Sequence, residues 1–68
     1  MDAQTKELVA IGASFAARCQ PCIRYHLVKA REAGASEDDI RTAIDLGQRI
    51  SAVGNDRMAE FVDTILKN

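Results

Sequence analysis

Apolar residues recur along this chain with the period of an α-helix, and no stretch alternates polar and apolar residues long enough to form a strand. Within the first segment they form one stripe: Leu8, Ile11, Gly12 and Phe15. This stripe predicts a helix from about Ala3 or Gln4 to Ala17. A second helix is predicted to open around Pro21, because proline suits a first helical turn, and to run to about Ala33.

The clearest boundary is the stretch "EAGASEDDI". Gly34 is predicted to take the left-handed position after the second helix, and Ser36 to cap the third, whose first turn is acidic. Gly54 and Asn55 predict a further break, which divides the remainder into two helices. The third helix carries mostly small apolar residues on one face: Ile40, Ala43, Ile44, Gly47, Ile50 and Ser51. The fourth repeats this arrangement with Met58, Phe61, Val62, Ile65 and Leu66. We therefore expect an all-α bundle of about four helices.

Composition limits what such a bundle does. The 68 residues contain no internal repeat, which predicts a single domain over residues 1–68. A domain of this size buries only about 60% of its unfolded surface, and this one has few aromatic side chains, so we expect further burial in a homo-oligomer. Nine basic and ten acidic residues give a net charge of −1 with no basic patch, which argues against a nucleic-acid partner.

The cellular location follows from what the sequence lacks. No apolar stretch is long enough to span a membrane, and the start "MDAQTKELVA" lacks the pattern of a secretory signal. We expect a cytoplasmic protein with no membrane partner. Two cysteines in a reducing compartment are seldom a static disulfide, so a C-x-x-C pair there indicates redox chemistry or metal binding.

The stretch "CQPC" places both cysteines at the predicted start of the second helix. Cys19 lies at or just before the cap and Cys22 in the first turn, where free N–H groups and the helix dipole favour an anion. A thiol whose pKa falls from about 8.5 to about 6.5 is roughly three-quarters ionised at neutral pH. His26, the single histidine, follows Cys22 by four residues and shares its helix face, so the imidazole can take the thiol proton. We assign Cys22 as the attacking thiolate and Cys19 as the resolving thiol.

The order Glu7, eleven residues, Cys19, two residues, Cys22, three residues and His26 resembles the motif of the alkyl hydroperoxidase D-like proteins within the carboxymuconolactone decarboxylase family. The stretch "HLVKAREAGASEDDIRTAI" also resembles the sequence that usually follows this motif. The resemblance covers about Glu7 to Ile50. One departure is Pro21, where the best-known peroxidase members carry a second histidine; those members are also much longer.

This resemblance implies an oligomeric, all-helical thiol peroxidase. Cys22 would become the sulfenic acid, Cys19 would resolve it to a disulfide, and Glu7 and His26 would relay protons. The implied substrate is a hydroperoxide, and the implied reductant is a dithiol such as dihydrolipoamide, or a lipoylated or thioredoxin-like protein. No prosthetic group and no metal are predicted.

Three other functions remain open. Cys19, Cys22 and His26 are three ligands that suit zinc, with a fourth from water, Glu7 or another subunit. The cysteines of a non-catalytic oligomeric module can also simply sense oxidation. Finally, family relatives without the cysteine pair decarboxylate a lactone, although the presence of the pair argues against that activity here.

The geometry of the proton relay can be anticipated from helix dimensions. In a straight antiparallel hairpin that turns near Arg18, Glu7 lies about eleven residues from the turn and His26 about eight. The resulting axial offset is roughly 4 to 5 Å at about 1.5 Å per residue. We expect a bridging water or a neighbouring subunit to close this gap.

Overall fold

The computed structural model describes residues 1–67 and contains three helices, α1 (Ala3–Ala16), α2 (Gln20–Glu32) and α3 (Glu37–Leu66). Asn68, the last residue of the predicted domain, lies outside the described residues. The all-α prediction is confirmed, since residues 1–67 contain no strand. The predicted bounds of the first two helices are correct to within one residue.

The predicted break at Gly54 and Asn55 is wrong. Both residues lie inside α3, which replaces the expected third and fourth helices with one helix of 30 residues. A glycine in a helix interior costs only about 1 kcal/mol relative to alanine, and no proline stands nearby to interrupt the hydrogen-bond ladder. The strong apolar period on both sides therefore outweighs this weak turn signal, and the helix continues through Gly54 and Asn55.

The turn between α2 and α3 forms as predicted. Gly34 has a φ of 85°, in the left-handed region, and the amide of Ala35 donates to the Ala30 carbonyl at 3.0 Å. The Ser36 hydroxyl then accepts from the Asp39 amide at 3.0 Å and caps α3. These bonds satisfy backbone groups that the two helix ends would otherwise leave unpaired.

Helix α1 occupies the centre of the packing, because it contacts both other helices whereas α2 and α3 barely touch. The core is small and aliphatic, formed by Ile11, Ala30, Ala35, Ile40 and Ala43. Helices α1 and α3 run parallel and approach closely at two glycines. A Cβ on Gly47 would lie 2.5 Å from the Gly12 carbonyl oxygen, and a Cβ on Gly12 would lie 3.2 Å from that of Ala43. The small residues on these two helix faces permit this close approach.

The turn between α1 and α2 folds the chain back sharply. Arg18 has a φ of 56°, and its amide donates to the Phe15 carbonyl at 3.0 Å. The next amide, of Cys19, donates to the Ser14 carbonyl at 3.0 Å. This is the hydrogen-bond pattern that usually places glycine at the left-handed position. As a result Cys19 returns to the level of Ser14 on α1.

Replacing Arg18 with glycine is expected to stabilise the protein by roughly 0.5 to 1 kcal/mol. An L-residue in the left-handed region is strained by about 1–2 kcal/mol, which glycine relieves, and the greater freedom of glycine in the unfolded chain offsets part of this gain. Urea unfolding followed by circular dichroism measures the difference. Arg24→Gly is the matched control, because Arg24 is exposed inside α2 and its replacement should cost about 1 kcal/mol. Equal losses in both variants would contradict the strain at Arg18.

Helix α3 continues well beyond the end of α1. Residues 52–67 are all exposed, and the molecule is elongated, with principal extents of 52 × 20 × 19 Å. Across residues 1–67, no helix has both the length and the apolar character needed to cross a membrane.

Candidate active site

Both cysteines lie at the start of α2, as predicted. Cys19 is the N-cap residue, Pro21 falls in the first turn, and Cys22 is the third residue of the helix. The two sulfur atoms are joined in a disulfide, with the Cα atoms 5.2 Å apart. Proline fits here because a first-turn residue needs no N–H for the helical ladder. The cysteine pair at the helix start is thus described in its oxidised form, as a disulfide.

Glu7 and His26 are in direct contact, so the expected gap between them is wrong. Oε2 of Glu7 lies 2.6 Å from Nδ1 of His26, and neither a bridging water nor a second subunit is required. The reason is the fold-back at Cys19. Counted from the Ser14–Cys19 hydrogen bond, Glu7 and His26 each lie seven residues away, and so reach the same height on neighbouring helices.

This contact fixes which imidazole nitrogen is free. A carboxylate can only accept, so Nδ1–H of His26 donates a hydrogen bond to an ionised Glu7, and in the tautomer with the proton on Nδ1 the other nitrogen, Nε2, is an acceptor. The side chains of His26 and Glu7 are only 28% and 16% exposed, which shields their interaction from water. Because His26 follows Cys22 by four residues, its ring stands on the same helix face, one turn from that sulfur.

Tyr25 packs against the imidazole from the side. Its ring meets that of His26 edge to face, with centroids 5.0 Å apart, and Lys29 lies 5.6 Å from the Tyr25 centroid. Tyr25 is 56% exposed, and its contact with His26 helps to hold the imidazole ring. The spacing of Tyr25 and Lys29 by one helical turn indicates their own contact, but no spacing in the sequence indicates the contact between the neighbours Tyr25 and His26.

An open pocket of about 360 Å³ lies against the first cysteine. Its lining residues are Ser14, Phe15, Arg18, Cys19, Gln20 and Ile23. Phe15 and Ile23 supply apolar walls, and Arg18 supplies a cation at the rim. The sequence did not reveal this pocket, because it forms only when the left-handed Arg18 brings the start of α2 back beside the last turn of α1.

The geometry gives no support to the zinc alternative. In the part of the chain that the structure describes, no group of three or more His, Cys, Asp and Glu side chains is arranged to hold a metal ion. A sulfur atom bonded in a disulfide also lacks the thiolate charge with which cysteine binds zinc.

Comparison with known proteins identifies the family. The chain matches the sequence model of the carboxymuconolactone decarboxylase family over residues 1–63. No curated protein and no solved structure matches it. The family match spans all the residues of the site described above. This chain belongs to the carboxymuconolactone decarboxylase family.

Proposed function

We propose that this protein is a thiol peroxidase that reduces hydroperoxides with the Cys19/Cys22 pair and is regenerated by a dithiol. The observation that carries the proposal is the direct Glu7–His26 contact, one helical turn from a cysteine pair that closes into a disulfide. Family membership and the C-x-x-C pair are compatible with this chemistry. The proposal includes the roles of four residues: Glu7, Cys19, Cys22 and His26.

In the oxidative half of the reaction, the Cys22 thiolate attacks the outer oxygen of the hydroperoxide. The O–O bond breaks, the alkoxide takes a proton and leaves as an alcohol, and Cys22 becomes a sulfenic acid. The Cys19 thiol then attacks the Cys22 sulfur, which forms the disulfide and releases water. His26 accepts the proton of the Cys22 thiol at Nε2 and returns a proton to the leaving oxygen, while Glu7 orients the ring and stabilises its charged form.

In the reductive half, an external dithiol restores both thiols. One thiolate of the donor attacks a sulfur of the disulfide, and the second donor thiol attacks the resulting mixed disulfide, so that the donor leaves as a disulfide. The pocket beside Cys19 favours that sulfur as the point of attack. Attack there releases Cys22 as a thiolate at the start of α2, where the helix dipole stabilises its charge. We place the protein in the cytoplasm, where dithiol donors keep such pairs reduced.

A coupled assay tests the function. The reduced protein is mixed with a panel of alkyl and hydrogen peroxides and with excess dihydrolipoamide, and oxidation of the donor is followed over many equivalents. A peroxidase consumes many equivalents of donor for each protein chain. A redox sensor stops after one oxidation event, and a protein that consumes no peroxide contradicts the proposal outright.

The Glu7→Gln variant is expected to lower peroxidase turnover about tenfold, because a neutral amide still accepts from Nδ1 but no longer stabilises a charged imidazole. His26→Ala removes the base itself and should cost about 100-fold or more. Initial rates at saturating donor measure both effects. Glu32→Gln is the matched control, since Glu32 is an exposed glutamate at the end of α2 that pairs with Lys29, away from His26. If Glu7→Gln matches this control, the positioning role of Glu7 is wrong.

A further inference from the structure

Arg18 occupies a backbone position that favours glycine. The turn between α1 and α2 requires the left-handed conformation there, which arginine rarely adopts. Within residues 1–67 its guanidinium takes part in no ion pair, so the charge is not used to hold the fold together. Strained backbone positions that persist in a fold cluster at active sites and ligand-binding sites. The presence of arginine here therefore calls for a reason other than the stability of the turn.

The side chain of Arg18 lies at the edge of the pocket beside Cys19. The pocket has a volume of about 360 Å³, within the range of sites that take small organic molecules. Phe15 and Ile23 supply apolar walls, and Cys19 lines the pocket whereas Cys22 does not. A molecule bound there would contact an apolar surface, the first cysteine of the disulfide and a guanidinium group.

The charge around the cysteine pair is positive. Residues 8–31, which include both cysteines, contain four basic residues and no acidic one, giving +4 in a chain whose net charge is −1. The two basic residues in the second half of α2 form ion pairs with glutamates. Arg18 and Arg24, which flank the cysteines, form none within residues 1–67, and of the two only Arg18 lines the pocket. This charge distribution attracts negatively charged ligands to the disulfide.

We propose that Arg18 selects the reductant of the disulfide, and that this reductant is a small dithiol carrying a carboxylate. The proposal rests on the dithiol half of the function proposed above and not on the peroxide half. A guanidinium donates in a planar fork that matches a carboxylate. A short alkyl chain between the carboxylate and the thiols would pack against Phe15 and Ile23. A dithiol that ends in a neutral amide would lack the ion pair.

The reaction in the pocket is a two-step exchange. A donor thiolate attacks the Cys19 sulfur, the S–S bond breaks, and Cys22 leaves as a thiolate that takes up a proton. The second donor thiol loses its proton and attacks the donor sulfur of the mixed disulfide, which releases Cys19 as a thiolate to be protonated in turn. The donor loses two electrons and two protons and becomes a cyclic disulfide, and the protein gains them. Arg18 forms no bond with sulfur; it determines specificity by holding the carboxylate.

Reduction of the oxidised protein without peroxide tests the proposal. The disulfide form is mixed anaerobically with excess dihydrolipoate or dihydrolipoamide, which differ only in the terminal carboxylate or amide. The mixture is quenched with an alkylating reagent, and mass spectrometry counts the free thiols. Each rate constant is divided by that for a small neutral disulfide, which corrects for the intrinsic reactivity of the donor.

The corrected rate constant for dihydrolipoate is expected to exceed that for dihydrolipoamide about fivefold at low salt, as for one exposed ion pair. This ratio should fall below about twofold near 1 M salt, where charges are screened beyond about 3 Å.

Variants at two arginines separate specificity from damage to the turn. Arg18→Gln should lower the ratio to about one, because an amide has no charge to pair with the carboxylate, and Arg18→Lys should retain most of it. Arg24→Gln is the matched control, since it removes the same charge from an exposed position outside the pocket and should keep the wild-type ratio. A merely structural role of Arg18 would change the rates with both donors alike. Arg18→Gly, expected above to gain stability, should also lose the preference.

Four results would overturn the proposal. The first is a wild-type protein with equal corrected rate constants for the two donors, and the second is a disulfide that neither donor reduces. The third is a ratio that Arg18→Gln and Arg18→Gly leave unchanged. The fourth is a ratio that Arg24→Gln lowers as much as Arg18→Gln does, which would assign the effect to net charge. A protein that prefers dihydrolipoate but consumes no peroxide would contradict the peroxidase proposal alone.

Discussion

Replacing Cys22 with serine is expected to abolish peroxide-dependent oxidation of a dithiol, with a loss of at least about 1,000-fold. A serine hydroxyl is not ionised near neutral pH and cannot form a sulfenic acid, so no oxygen atom is transferred from the peroxide. The helix start, His26 and Glu7 remain in place in this variant. The measurement is donor oxidation by the purified variant at several peroxide concentrations.

Cys19→Ser is the matched control, because it removes the other sulfur from the same turn. This variant should consume one equivalent of peroxide and stop, leaving a sulfenic acid on Cys22 that a 1,3-diketone reagent traps. Mass spectrometry of the labelled peptide locates the adduct. Full turnover by Cys22→Ser, or an adduct missing from Cys22 in Cys19→Ser, would reverse or remove the assigned roles.

Gly47→Ala is expected to destabilise the fold by about 3 kcal/mol, at the upper end of the range for overpacked cores. The new Cβ would lie 2.5 Å from the Gly12 carbonyl oxygen and 3.0 Å from the Phe15 Cβ. Backbone atoms cannot swing aside, so α1 and α3 must separate. For so small a domain this loss approaches the whole stability of the fold.

Two further glycines provide the comparison for Gly47. A Cβ on Gly12 would meet the Ala43 carbonyl oxygen at 3.2 Å, so Gly12→Ala should cost less than Gly47→Ala. A Cβ on Gly54 would meet nothing within 4 Å, and Gly54→Ala should raise stability by up to about 1 kcal/mol. Urea midpoints at one fixed protein concentration rank the three variants. If Gly47→Ala unfolds no more readily than Gly54→Ala, then α1 and α3 do not approach each other as closely at Gly12 and Gly47 as the structure shows.

Local patterns were sufficient for most of the fold. Gly34 and Ser36 each favour a specific backbone conformation, and the structure contains both. Pro21 likewise favours one backbone conformation, that of a first helical turn, so the predicted start of α2 is correct to within one residue. Gly54 failed as a signal because glycine permits a break without requiring one, and the apolar period on either side extends through it.

The candidate site was predictable in its residues but not in its geometry. The spacing of Cys22 and His26 on one helix gives their shared face directly, because both lie on a regular element. The distance between Glu7 and His26 depends on the intervening turn, and nothing in the sequence marks Arg18 as left-handed, since arginine rarely adopts that conformation. The same unpredicted left-handed conformation of Arg18 also produces the pocket beside Cys19.

The hydrogen bond between Ser14 and Cys19 gives the motif spacing a physical meaning. Equal lengths of seven residues run from this bond to the carboxylate and to the imidazole, so the two groups meet only when both lengths are kept. Deleting one residue from either length would rotate its end group by about 100° around the helix axis and move it about 1.5 Å along it. Between Glu7 and Ser14, evolution is therefore free to change side chains on the outer surface but not to insert or remove a residue.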